Sequence, residues 1–452
     1  MSQTIDRDRL EWLLEEESDL FVRSHPRSAE LHQRALGPLI AGVPMNWMTR
    51  WPGALPVFAT TASGASITDV DGNTYVDLCL GDTGAMAGHA PAATVAAVAE
   101  RAAQGITMML PTEDAIWAGE ELTRRFGLPR WQIAMSATDA NRFVIRIARH
   151  ATGRQRILVM NWCYHGTVDE ALWVLDADGA VVPRPGNVGP LDATGESVAV
   201  VEFNDLVALE RELAEGDVAM VLAEPALTNI GIVLPDEGYH AELRRLTREH
   251  GTLLCIDETH TICVGPGGAT AAWGLEPDLF TIGKPIAGGV PIAAFGLTAE
   301  LAERIYEPVF GETSDVSGVG GTLSGNALAL AALRATLSTT LTAEDYGRMI
   351  PLAERWTTGV AGVITEHALP WHVQQLGCRA EYWFCPPPRN GGEAALALDG
   401  DLEAYFHLYA LNRGVLLAPF HNMALTSPAT TAADVDRHTE VFSATVQSLL
   451  GT

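Results

Sequence analysis

The chain has 452 residues, 47% of them hydrophobic and 19% charged, enough apolar material to bury a large core in two domains, or one large and one small. Its 29 basic against 56 acidic residues leave a net charge of -27, which argues against nucleic acid or an anionic membrane as partner, because both select clustered positive charge. The opening MSQTIDRDRLEWLLEEESDL is acidic and amphipathic where a signal peptide is basic and then apolar, and no run reaches the roughly 18 apolar residues of a membrane span, so a cytoplasmic location is expected.

Residues 1–35 read as a polar helical arm interrupted at Pro26, and residues 56–80 as strands around the hairpin turn Val70-Asp-Gly-Asn-Thr. From 89 to 330, helical stretches alternate with short apolar runs at 132–135, 157–160, 198–201, 220–223, 253–256 and 279–282. This alternation predicts an α/β domain with a mostly parallel sheet covered on both faces. After 330 come a long helix (343–365), strands within 372–384, a Pro/Gly loop from Cys385 and a last helix (432–450), the makeup of a smaller α+β domain. The expected division is an N-terminal arm and strands over 1–70 contributing to the small domain, a large domain over 71–330 and a small domain over 331–452. The six cysteines are scattered with no CxxC or Cys/His spacing, so neither a disulfide framework nor a metal site is expected.

Lys284 is the only lysine; the other 28 of the 29 basic residues are arginine. It lies in Leu279-Phe-Thr-Ile-Gly-Lys-Pro-Ile-Ala-Gly-Gly, an apolar strand running into a Gly/Pro turn, where a solvated surface lysine is out of place. Arginine keeps a surface charge but stays protonated, whereas a lysine amine can be desolvated and act as a nucleophile. The run Thr252-Leu-Leu-Cys-Ile ends in Asp257, a carboxylate where an open parallel sheet gathers its ligands. An amine and an acid together are what pyridoxal phosphate (PLP) requires, the acid keeping the pyridine nitrogen protonated; taken alone, an Asp at a strand end is also an ordinary cap or turn. Met135-Ser-Ala-Thr-Asp-Ala-Asn follows a strand and opens a helix, which suits a phosphate, although Ser and Thr are routine caps as well. Tyr164-His165-Gly166 follows another strand end, where an aromatic ring stacks on a planar cofactor or packs between helix and sheet. Gly320-Gly-Thr-Leu-Ser-Gly-Asn reads as a phosphate-approaching loop or a flexible turn.

The set Ser136-Ala-Thr, Tyr164-His-Gly, Glu224-Pro, Asn229, Asp257-Glu-Thr, Gly283-Lys284 and Gly321-Thr-Leu-Ser-Gly-Asn, in that order over nearly the whole chain, resembles the class III aminotransferases, nearest the glutamate-1-semialdehyde aminomutase and ω-transaminase branch. The resemblance implies PLP fold type I (aspartate aminotransferase-like) and a homodimer with shared active sites. It implies Lys284 as internal aldimine and proton shuttle and Asp257 on the pyridine nitrogen. Ser136, Ala137 and Thr138 would lie at the phosphate, Tyr164 on the ring with His165 beside it, Asn229 near the phenolic oxygen, and Thr322 would reach the partner's phosphate.

Several positions depart from the pattern. Asp257-Glu-Thr-His replaces the usual Asp-Glu-Val followed by Gln or Met, setting Thr259 against the ring and His260 near the phenolic oxygen. Asp82-Thr83 stands where the aminomutases carry Ser-Trp, and Ala418-Pro-Phe-His-Asn-Met-Ala has no acidic residue where they have one. No arginine lies between Val415 and Ala429, the loop where many ω-transaminases accept a carboxylate. Arg50 and Arg379 are then the candidates for a bidentate carboxylate contact, with Trp47, Trp51, Trp162, Phe420 and the partner chain setting pocket size. The leading expectation is an aminotransferase moving an amino group between an amine or ω/β-amino acid and a 2-oxo acid. The alternative is a 2,1-aminomutase or an epimerase, which needs no co-substrate; a non-catalytic PLP-fold binding protein comes third.

Overall fold

The computed structural model describes residues 5–189, 195–312, 314 and 316–452. The chain folds into two compact units. One comprises the chain up to Pro91, Glu344–Pro387 and Ala397–Thr452; the other comprises Ala92–Ala343 and Pro388–Leu396.

The larger unit is built on a seven-stranded sheet: β1 (Arg130–Ala134), β2 (Arg156–Met160), β3 (Val198–Val201), β4 (Val218–Ala223), β5 (Leu253–Asp257), β6 (Leu279–Ile282) and β7 (Ala293–Leu297). Their spatial order is β1-β7-β6-β5-β4-β2-β3. The pairs β6/β5, β5/β4, β4/β2 and β2/β3 are parallel, and only β7 runs antiparallel to its neighbours. All six residues of β4 are buried, as they must be in a strand covered on both faces, and this is why the inner strands read as unbroken apolar runs. Six of the seven strands fall on the runs seen in the sequence. The seventh, β7, is Ala-Ala-Phe-Gly-Leu; poor in β-branched residues and set just after a Gly/Pro turn, it lacks the usual strand composition.

The smaller unit holds a four-stranded sheet (Ala59–Ser63, Ser66–Asp69, Thr74–Asp77, Val415–Leu416) and a three-stranded one (His372–Leu376, Arg379–Trp383, Met423–Leu425). The Asp69 carboxylate accepts the N–H groups of Asp71 (2.9 Å) and Asn73 (2.8 Å), fixing the predicted hairpin turn as an Asx turn. Residues 71–91 belong to this unit, because Thr74–Asp77 pairs with both Ser66–Asp69 and Val415–Leu416. Its core gathers Trp356, Tyr382, Tyr405, Phe406 and Phe442 with Leu10, Leu13 and Leu449. The N-terminal arm is two helices, Arg7–Ser24 and Pro26–Ala35, broken at the proline read from the sequence; residues 1–4 lie outside the described part.

Candidate active site

Asp257, Lys284, Ser136 and the Tyr164-His165 segment each sit at, or just beyond, the carboxyl end of a strand, where parallel sheets present their loops. Asp257 ends β5 and is buried (4% exposed). Its Oδ2 accepts from Asn141 Nδ2 at 2.8 Å and lies 2.9 Å from His165 Nδ1; its Oδ1 accepts the Thr259 backbone N–H at 3.0 Å. Asn141 is itself held, its Oδ1 accepting from Thr281 Oγ1 on β6 at 2.8 Å and its Nδ2 reaching the His165 carbonyl at 3.1 Å. Burial alone pushes the Asp257 carboxyl up, but hydrogen bonding and charge from His165, together with Thr259 and Asn141, more than reverse this and bring it down to about 2. Burial disfavours the charged form of His165, and the adjacent Cys163 and then Asp257 outweigh that, raising it well above the ordinary histidine value.

The neighbouring Glu258 has a different part to play. Fully buried, it accepts from Thr261 Oγ1 at 2.6 Å, from the Ala269 N–H at 3.2 Å and from the Thr270 N–H, fastening the loop that follows Asp257. A Cβ at Gly268 would stand 2.4 Å from Glu258 Oε2, so that close approach requires glycine.

Lys284 opens a short 3-10 turn (Lys284–Ala287) directly after β6 and Gly283. Its φ of +52° is the left-handed region that a long side chain seldom adopts, and such strain gathers at functional positions. Its Nζ lies 2.7 Å from His260 Nε2. His260 therefore meets the lysine amine directly.

Between these groups the helix α1 (Ala137–Thr152) begins. Ser136 caps it, its hydroxyl accepting the Asp139 N–H at 3.2 Å and donating to Asp139 Oδ2 at 3.0 Å. Thr138 Oγ1 accepts the Thr167 N–H at 3.1 Å. A Cβ at Gly166 would fall 2.2 Å from that oxygen, and one at Gly283 only 3.1 Å from the Ala137 Cβ. Two loops thus press onto the start of a helix, where the first amides suit an anion. Tyr164 is half-buried beside His165, and Asn229 donates to the Trp162 carbonyl at 3.0 Å.

These features fit PLP. A carboxylate offers about four acceptor positions. Among the described residues three are taken at Asp257, leaving one on Oδ1 for a ring N–H, while the α1 start and the lysine amine supply the other two contacts the cofactor needs.

Thr322 is exposed on the loop before the helix Ala327–Thr339. Trp47 and Arg50 belong to the smaller unit, Arg50 exposed and Trp47 edge-on to Phe420 with centroids 5.4 Å apart. Arg379 is fully buried in that unit and paired with Glu381 at 3.1 Å. Asn141 and Thr281 are the functional positions that sequence reading missed. The available signal was a lone Asn among the apolar residues Phe143, Val144, Ile147 and Ala148 of one helix.

A lysine and a buried aspartate at the carboxyl ends of adjacent parallel strands, with a helix start alongside, define a PLP enzyme of fold type I. Residues 47–350 match the family model described as aminotransferase class-III, and the chain belongs to that family. It is 32% identical over 432 residues to a glutamate-1-semialdehyde 2,1-aminomutase from Desulfitobacterium hafniense, covering 94% of this chain and 98% of the relative. Among solved structures, a glutamate-1-semialdehyde-aminomutase from Pseudomonas aeruginosa PAO1 superposes with a TM-score of 0.96 at 51% identity, over 98% of this chain and 99% of that one. An omega-transaminase from Sphaerobacter thermophilus superposes at 0.86 with 28% identity, over 94% and 98%.

Proposed function

We propose that this chain is a PLP enzyme of the aminomutase kind, moving an amino group between neighbouring carbons of one substrate, with Lys284 as the amine that holds the cofactor. The observation that carries the reading is the sole lysine, 2.7 Å from a histidine, in the same unit as a buried aspartate kept ionised at about 2. Relatives named as aminomutases favour the intramolecular shift over the intermolecular transfer that the sequence put first.

PLP, when bound, supplies a carbonyl for the substrate amine and a protonated ring that draws electrons from the substrate carbon. Asp257 stays ionised and holds the proton on the ring nitrogen; His165 and Asn141 keep its charge in place. The first amides of α1, at Ala137 and Thr138 beside Ser136, bind the phosphate. Tyr164 packs against the ring, and Asn229 and Thr259 line it. Lys284 Nζ takes the proton from the substrate carbon and returns it at the neighbouring position. His260 Nε2, 2.7 Å away, holds Nζ in place by a hydrogen bond. The enzyme is further taken to be a cytoplasmic homodimer, with Thr322 reaching the partner's site. The exposed apolar run Ile106, Met108, Met109 and Leu110, held beside the Thr322 loop by the Ala327 N–H on the Ile106 carbonyl (3.0 Å), supports that pairing.

The second reading, a transaminase acting on an amine or ω/β-amino acid and a 2-oxo acid, is favoured by Asp82-Thr83 and by the loop Ala418-Pro-Phe-His-Asn-Met-Ala, where the aminomutase pattern has Ser-Trp and an acid. Incubating the cofactor-loaded enzyme with amino aldehydes and β-amino acids, without any 2-oxo acid, separates the two. Sustained turnover supports the mutase; a single bleaching of the visible band that recovers only on adding a 2-oxo acid establishes the transaminase. A protein that takes up PLP without a visible band overturns the role given to Lys284.

A further inference from the structure

Arg184 stands out among the buried and half-buried arginines of the larger unit. Arg125, Arg149 and Arg244 each pair with a carboxylate, Glu121, Glu170 and Asp278 respectively. Arg154 has none but spends both terminal nitrogens on Val218 O, Thr252 Oγ1 and His250 O. Arg184 is half-buried and, among the described residues, makes one side-chain hydrogen bond, from Nη1 to the Cys163 carbonyl at 2.9 Å. Its Nε and Nη2, the edge that grips a carboxylate with two parallel bonds, have no acceptor among the described residues.

The side chain is nevertheless firmly placed. It follows the two-stranded ribbon Trp173–Leu175/Val181–Pro183, its own N–H donates to the Leu172 carbonyl at 2.9 Å, and its guanidinium carbon lies 5.1 Å from the centre of the Trp162 ring. The Trp162 carbonyl is in turn held by Asn229. The segment it grips, Trp162-Cys163-Tyr164-His165, is the one that leaves β2 and ends on Asp257 through His165. A cation is thus fixed against the segment that carries Tyr164 and His165, with its bidentate edge uncommitted among the described residues. Burial lowers its pKa despite Cys163, Tyr164 and Glu224, the mark of a charge whose lost hydration the protein does not fully replace.

We propose that Arg184 binds a carboxylate of the substrate, one that the reaction leaves unchanged. Resting on the enzymatic reading above, this gives the site the carboxylate contact expected of Arg50 or Arg379. The Trp162 face orients the guanidinium plane, and the Cys163 carbonyl fixes its roll. A planar, delocalised cation suits a carboxylate better than an ammonium would.

The test is glutarate, a dicarboxylate with no amino or oxo group to react, titrated into the cofactor-loaded protein by calorimetry and followed by tryptophan fluorescence through Trp162. Wild type binds it; Arg184→Gln weakens binding by ~10–100-fold, the range of one charge-assisted pair. Arg184→Lys, which keeps the charge but loses the fork, falls between. In turnover of a carboxylate-bearing substrate the loss appears mainly in KM, with kcat less affected, and an unchanged visible band shows that each variant is folded and loaded. Wild type that ignores glutarate, or Arg184→Gln that binds it as tightly as wild type, overturns the proposal. Glutarate binding that depends on Arg184 in a protein turning over no amine supports this site and counts only against the enzymatic reading.

Discussion

Each compact unit buries a cluster of ionisable side chains, and the two clusters are built differently. In the larger unit Asp257 sits at the end of a strand, its donors drawn from a loop, a helix and its own turn, with one acceptor position left over. In the smaller unit Arg379 and Glu381 lie on one face of the central strand of a three-stranded sheet, 3.1 Å apart, and His421 Nδ1 approaches Glu381 Oε1 to 3.3 Å. Burial is equally deep in both, so burial does not separate a site from a structural pair. Position does: Asp257 closes a parallel strand, where loops and ligands gather, while Glu381 lies mid-strand in an antiparallel sheet and is met there by Arg379 and His421.

That contrast can be broken in several ways. Lys284→Ala should cut turnover by at least about 10³-fold, measured at saturating PLP, with little change in denaturation midpoint. Glu381→Ala should do the reverse, destabilising by about 3–5 kcal/mol because it breaks the buried ion pair with Arg379, while the folded fraction keeps its turnover per active site. Asp257→Asn should lower kcat by about 10²–10³-fold; if it instead destabilised like Glu381→Ala and spared activity, the distinction between the clusters would be lost.

Acid should also find the smaller unit first. Burial pulls His407 down to about 4 and His438 to about 3, so the unfolded chain binds their protons first. Below an unfolded value of about 6.5, each costs about 1.4 kcal/mol per pH unit until its folded value is passed. His165 works in the opposite sense, its contribution complete below about 6.5 and lost as pH rises through its raised folded value. Asp257, lowered to about 2, loses its contribution only below about 4. Hydrogen exchange between pH 6.5 and 4 should therefore show faster opening in 400–450 than in 253–284. The smallest effect is expected at His260: His260→Ala should move the pH dependence of the cofactor's visible band by about one unit, and an unmoved titration would show that the 2.7 Å contact with Lys284 has no bearing on the proton.

The motifs that were legible in the sequence are those in which chain neighbours act together, with Asp257 closing an apolar run, Lys284 following Gly283, and Ser136 capping α1. What the sequence hid depends on distant segments meeting. Asn141 and Thr281 are 140 residues apart and are joined by one 2.8 Å bond; no spacing rule brings them together. Arg184 hides for the same reason, since only folding lays it over Trp162. Arg379 misled because a charged residue inside an apolar strand looks the same whether a ligand or a neighbouring glutamate meets it. The transaminase expectation leaned on departures at Asp82-Thr83 and in the 418–424 loop. The aminomutase proposal rests instead on similarity over nearly the whole length, 51% in one solved structure.

The left-handed backbone at Lys284 has a consequence for how such a protein can be improved. Replacing that residue with glycine would remove both the side chain and the strain, by roughly 1 kcal/mol or more, giving a protein that is inert and harder to unfold than the parent. Selection for thermal resistance alone would therefore reward loss of the active amine. Any stabilising screen on this scaffold should carry a functional filter at every round.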